Sequence, residues 1–130
     1  SILRRYDDAI KCYDQEIALY DEMLKINPED IFASMKYEPL NNKGVALHYL
    51  GKYDEAIDCF DEALKINQKN HYSLYCKART FSLLNIKKES LEYLKQAINL
   101  DTKYIELAKT DNEFQNIANE ESFKELILDD

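Results

Sequence analysis

The chain repeats itself, and the intervals between its copies constrain the fold more tightly than any other feature. Leu3-Arg-Arg-Tyr-Asp-Asp-Ala-Ile-Lys-Cys-Tyr-Asp14 returns as Leu50-Gly-Lys-Tyr-Asp-Glu-Ala-Ile-Asp-Cys-Phe-Asp61, with seven of twelve positions identical at an offset of 47. Tyr20-Asp-Glu-Met-Leu-Lys-Ile-Asn27 returns as Phe60-Asp-Glu-Ala-Leu-Lys-Ile-Asn67, with six of eight identical at 40. A third copy, Leu84 to Asp101, follows Leu50 to Asn67 at 34 and keeps the apolar positions. Periods of about 20–50 residues belong to chains in which each supersecondary unit buries its apolar face against the next.

The differences between the offsets locate the insertions. The drop from 47 to 40 places seven extra residues inside the first copy. Seven residues are close to two turns of helix, so an apolar stripe survives the insertion. Tyr6, Ile10, Tyr13, Ile17, Tyr20 and Leu24 step by fours and threes along such a stripe, which predicts one lengthened helix over 3–28. The six residues by which 40 exceeds 34 fall between Pro28 and Pro39. Ile31, Phe32 and Met35 share a helical face there, so a short extra helix is expected to pack over the long one. Partial filling of a groove, or contact with another protomer, are its alternatives.

Each full copy reads as a helical hairpin. Leu40, Gly44, Leu47 and Leu50 form the stripe of a first helix, and Gly51 is placed to end it in the left-handed conformation. Ala56, Ile57, Phe60, Ala63 and Leu64 form the stripe of a second helix. Small residues alternate with large ones, which lets neighbouring helices interdigitate. Gly44 costs about 1 kcal/mol relative to Ala inside a helix. Close approach of the facing helix would offset that cost, and the next copy holds the equally compact Ala78.

Composition agrees with helices and excludes several functions. Two glycines and two prolines in 130 residues leave few tight turns, as long helices require and β-rich folds do not. The net charge of −8 repels a phosphate backbone, so nucleic acid is not an expected partner. No apolar run approaches the roughly 18–20 residues of a membrane span. Three dispersed cysteines without a CxxC pair suggest a reducing, cytoplasmic setting. Cys12 and Cys59 occupy equivalent repeat positions and are expected to pack, whereas Cys76 faces the groove in this reading. His48 and His71 lie 23 residues apart without ligand-like neighbours, so both read as surface histidines and neither metal nor cofactor is expected. GxSxG, HExxH and Gly-rich phosphate loops are missing from the sequence, which makes catalysis unexpected.

The segment from Asn41 to Asn67 resembles the tetratricopeptide repeat. Its small signature residues fall on Gly44, Ala56 and Ala63, and its aromatics on Tyr53 and Phe60. Leu40 stands where the family has tryptophan, and Gln68 where it has the closing proline. The second copy offers Ala78, Ser90 and Ala97 at the small positions. The resemblance implies an all-α fold, a right-handed α-α superhelix of tetratricopeptide hairpins with a C-terminal capping region. It divides a single solenoid, 1–130, into a lengthened second helix of a partial repeat (3–28), an insertion (29–38), repeats at 39–70 and 71–104, and a cap at 105–130. The cap is expected as short helices at 103–109, 112–118 and 120–128, with Thr110 to Glu113 spaced as a capping box and Asn119 capping the last helix.

The resemblance also implies a concave surface, lined by first helices, that holds a protein or peptide. The exposed lining would comprise Glu38, Asn41, Asn42, Val45 and Tyr49 from one repeat, then Tyr72, Tyr75, Cys76, Arg79 and Ser82 from the next. Second helices concentrate Asp54, Glu55, Asp58, Asp61 and Glu62, while first helices carry Lys43, His48, Lys77 and Arg79 beside Glu38. That distribution predicts a neutral or mildly positive inner wall, suited to aromatic or aliphatic anchors and a carboxylate. Asn42 matches the central asparagine of the carboxylate clamp found in the chaperone-binding branch. Tyr72 and Cys76 replace its basic residues, so that specific role is not expected. The leading expectation is a non-catalytic adaptor. Its alternatives are a self-assembling scaffold, a homo-oligomer formed through an open N-terminal side bearing Tyr6, Tyr13 and Tyr20, and a regulatory segment of a larger protein.

Overall fold

The computed structural model describes residues 1–29 and 31–128, with backbone alone at 32 and 33. Its elements are α1 (Ile2–Ile26), a 3₁₀ segment η1 (Ile31–Lys36), α2 (Tyr37–Tyr49), α3 (Tyr53–Ile66), α4 (His71–Leu83), α5 (Lys87–Leu100), α6 (Lys103–Thr110), a second 3₁₀ segment η2 (Asn112–Ile117) and α7 (Glu121–Ile127). Among the described residues there is no strand. This is an all-α helical repeat fold. The chain divides into two compact units, Ser1–Gln68 and Lys69–Asp130.

In the first unit, α2 and α3 form a hairpin and α1 lies along α2. The reversal after α2 is a Schellman turn: Lys52 N–H donates to the Leu47 carbonyl and Gly51 N–H to that of His48. Gly51 has φ of +80°, the conformation that a Cβ would strain. Leu40, Gly44 and Leu47 are buried on α2, and Ala56, Phe60 and Ala63 on α3, while Tyr53 is half-buried. A Cβ on Gly44 would lie 2.5 Å from the Phe60 ring, so glycine is required by the close approach of the two helices. Phe60 is itself fully buried and has no solvent to swing into.

The helix α1 meets α2 and η1 through the stripe predicted for it; Tyr6, Ile10, Tyr13, Ile17, Tyr20 and Leu24 are all half-buried. Tyr6 stacks on Tyr49 with ring centroids 5.7 Å apart. Ion pairs Lys43–Asp14 and Lys36–Asp21, each 2.7 Å, add to the contact. The tyrosines therefore mark the covered side of α1, and the open side lies elsewhere on the helix. Cys12 is exposed although Cys59, its repeat equivalent, is buried. A shared position did not produce shared packing, because α3 has α2 as its hairpin partner and Cys12 faces away from the stripe that α1 buries.

The insertion folds as the 3₁₀ segment η1 and packs on α1, as expected, with Ile31 and Met35 exposed and not on a buried face. The Phe32 side chain lies outside the described residues. The helix α2 starts at Tyr37, two residues before the expected repeat boundary. Pro39 then stands in its first turn, where a missing N–H breaks no helical hydrogen bond.

The second unit repeats the hairpin with α4 and α5 and closes it with η2 against α4. Its turn uses the same bonding as the first: Ile86 N–H donates to Phe81 and Asn85 N–H to Ser82. Asn85, with φ of +59°, takes the place of glycine. Ala78, Ser90 and Ala97 are fully buried. Ser90 exceeds its expected packing role, since its hydroxyl donates to the Ala78 carbonyl across the helix pair at 2.7 Å. Asp111 caps η2 by accepting from Glu113 N–H, so the cap is one residue later than expected. The helix α7 begins after Glu120 without a side-chain cap.

Candidate functional site

The second unit contains a cavity of about 400 Å³ lined by Tyr72, Tyr75, Arg79, Lys103, Tyr104, Leu107, Thr110 and Asp111. The helix α4 supplies the first three, and α6 with the residue after it supplies the rest. Tyr75 and Tyr104 stack at 4.7 Å to form the floor, and Phe114 of η2 meets Tyr75 edge-on at 5.5 Å. Tyr72 and Leu107 are 42% and 47% exposed, so they form an apolar rim.

Hydrogen bonds lock this floor. Tyr75 donates its hydroxyl to Asp111 Oδ2 at 2.8 Å. Burial, then that bond, push the Tyr75 phenol well above its ordinary range. Burial raises Tyr104 in the same way. The Tyr104 hydroxyl lies 2.7 Å from Nδ1 of His71. Arg79 donates to Glu113 at 2.6 Å and lies 3.5 Å from Asp111. Both tyrosines therefore present neutral faces, and the guanidinium is already met by two carboxylates.

The predicted lining residues divide accordingly. Tyr72, Tyr75 and Arg79 come together in the cavity, but Tyr75, expected exposed, is buried beneath it by its stacking on Tyr104. Cys76 and Ser82 lie on the same helix but are buried, not exposed. Burial drives the Cys76 thiol to about 12. Ser82 donates to the Glu113 carbonyl at 2.6 Å, and Asn116 donates to the Ser82 carbonyl at 2.8 Å. One segment accounts for Ser82: η2 lies against α4 and bonds to Ser82 and to Arg79 beside Cys76.

In the first unit, Glu38, Asn42 and Tyr49 are exposed on α2, Val45 is half-buried, and Asn41 is buried. The cations assigned to the inner wall are engaged or enclosed. Lys43 pairs with Asp14, whose hydrogen bond raises its pKa. His48 is buried, edge-on to Tyr49 and Tyr53, and is not a surface histidine. Lys77 is buried with its ammonium 3.9 Å from the centroid of Tyr93. Cys59 is buried and its thiol rises to about 11, chiefly by desolvation.

Lys103, Tyr104, Leu107, Thr110 and Asp111 were not anticipated as lining. Carrying the 34-residue period one step beyond His71 lands on Ile105, so the repeat itself signalled a further first helix where a cap was read. Among the described residues, no group of three or more His, Cys, Asp or Glu is arranged to hold a metal ion. No helix among them is long and apolar enough to cross a membrane.

No curated protein matches the chain. The family model of the tetratricopeptide repeat matches residues 37–70, which begin at the first residue of α2 and take in all of α3. Such repeats are in general non-catalytic and suggest a protein–protein interaction module. That match places a tetratricopeptide repeat at residues 37–70, within an all-α helical repeat fold.

Proposed function

We propose that the chain holds a peptide segment of a partner protein without catalysis, and that the cavity of the second unit receives one apolar side chain of that segment. The observation that carries this reading is a neutral aromatic floor, Tyr75 on Tyr104, beneath an exposed rim of Tyr72 and Leu107. Tyr75 and Tyr104 are themselves almost fully buried, so their stacking and hydrogen bonds fix the shape of the cavity while the rim of Tyr72 and Leu107 supplies the contact surface. Arg79, with Glu113 and Asp111 already on it, stiffens the floor and does not capture a ligand carboxylate. Lys103, at the cavity edge and about half exposed, has only Asp101 at 3.6 Å and is the more accessible of the two cations.

Peptide display against the 130-residue chain tests the reading. Selected peptides should share an aromatic or branched aliphatic anchor and lose at least tenfold in affinity with Leu107→Glu, a substitution at an exposed position that leaves the fold intact. Peptides that bind the variant equally well would place recognition elsewhere.

A further inference from the structure

The cavity of the second unit has two chemically different ends. Tyr72 to Arg79 on α4 and Lys103 to Thr110 on α6 each cover about two turns, which makes the cavity a trough roughly 10 Å long. Its two walls run the same way. His71 meets Tyr104 at 2.7 Å where both helices start, and Arg79 lies 3.5 Å from Asp111, where α6 has ended. Each wall has its own packing partners, α5 and η2 for α4, and α5 and α7 for α6. The charged groups at the starting end are Lys103 and Asp101. Asp101 uses Oδ1 to accept the Lys103 backbone N–H at 3.0 Å, and that bond holds its carboxyl below the ordinary range. The Lys103 ammonium meets the other oxygen at 3.6 Å and is 55% exposed. Both helices also turn their N-terminal, positive poles to this end. At the far end one guanidinium stands beside two carboxylates, Asp111 and Glu113, and α6 presents its C-terminal, negative pole. Formal charge is balanced at the first end and negative at the second.

We propose that the trough selects a peptide segment of mixed charge: an apolar anchor between Tyr72 and Leu107, an acidic side chain toward Lys103, and a basic one toward Asp111 and Glu113. This rests on the reading of the cavity as a peptide site and adds the sign and placement of the residues that flank the anchor. In an extended segment every second side chain faces the same way, about 7 Å apart. Residues two before and two after the anchor therefore reach the two ends of the trough. At 0.1 M salt the screening length is about 10 Å, the length of the trough, so each end acts chiefly on the side chain nearest it. A segment acidic on both sides lays a like charge beside Asp111 and Glu113. One basic on both sides lays its second cation beside Lys103 and two positive helix poles.

Three acetylated and amidated pentapeptides test this by NMR titration against the 130-residue chain: Arg-Ala-Phe-Ala-Glu, Glu-Ala-Phe-Ala-Glu and Arg-Ala-Phe-Ala-Arg. All three should perturb the resonances of Tyr72 and Leu107, and the first should bind at least threefold more tightly than either of the others. Lys103→Glu, a change at an exposed position, makes both ends of the trough acidic. The ranking should then invert, with Arg-Ala-Phe-Ala-Arg binding best. Equal affinity for the three peptides, or a ranking that Lys103→Glu does not alter, would overturn the charge selection and leave the cavity as a purely apolar site. Peptides that perturb neither Tyr72 nor Leu107 would remove the peptide reading of the cavity, and the charge selection with it.

Discussion

The helices α2 and α4 hold equivalent places in the two units, and chain context gives them opposite fates. Asn42, Val45 and Tyr49 of α2 are exposed, half-buried and exposed. Thirty-four residues on, Cys76 is buried, Arg79 is held by two carboxylates, and Leu83 is half-buried. Helical hairpins with one period and one turn chemistry thus give an open wall in one case and a covered wall in the other. The difference arises after the repeat, where η2 lays Phe114 and Glu113 against α4. A repeat position has no fixed exposure of its own; the segment C-terminal to the repeat decides it.

The largest expected effect is from Phe114→Ala, which removes a fully buried ring between Tyr75 and Phe123. It should cost about 3–5 kcal/mol and loosen η2 from α4. Cys76 should then become open to alkylation, whereas the native chain should be labelled at Cys12 alone; mass spectrometry after iodoacetamide distinguishes the two states. Unchanged protection of Cys76 would mean that η2 does not provide the cover.

Gly44→Ala compares the two hairpins directly. The new Cβ would collide with Phe60, so a loss of about 1–3 kcal/mol is expected in denaturant melts, despite alanine's better helix propensity. The second hairpin already holds Ala78 there. Ala78→Gly should therefore cost only about 1 kcal/mol.

Glu113→Gln tests how firmly the cover is held. With both side chains largely buried, losing the charged partner of Arg79 should cost about 2 kcal/mol. A double-mutant cycle with Arg79→Met should recover part of that loss. Strict additivity would show that the pair contributes nothing to closure.

The smallest pair of effects concerns the two turns. Gly51→Ala places a Cβ at φ of +80° and should cost about 1 kcal/mol. Asn85→Gly relieves the same strain and should be neutral or stabilising by a few tenths of a kcal/mol, within about the 0.5 kcal/mol spread of surface changes.

The elements that could be read from sequence are those whose signal repeats. Copies at 47, 40 and 34 located α1, α3 and α5, while Gly51 and the alternation of Ala56, Phe60 and Ala63 located the first turn and the packing seam. The cap helices were visible because their apolar residues are locally periodic. Exposure was not legible, because it depends on contacts between distant segments. Ser82 is buried by the Glu113 carbonyl, 31 positions away, and nothing in the sequence around Ser82 encodes that contact. His48 is enclosed by Tyr49 and Tyr53, and Arg79 is neutralised by acids that looked like part of a cap.

The paired hydrogen bonds that close each hairpin act as a length gauge. They run from residue 52 back to 47 and from 86 back to 81, and one added residue in either link would break both bonds at once. Variation in the length of connections must then collect at the other kind of junction, where Asn27 ends α1 extended and receives the Glu29 N–H on its side chain. The six-residue excess sits there. A labelling loop or affinity tag spliced after position 28 should leave both hairpins in register, and the same insert after Gly51 should undo the first.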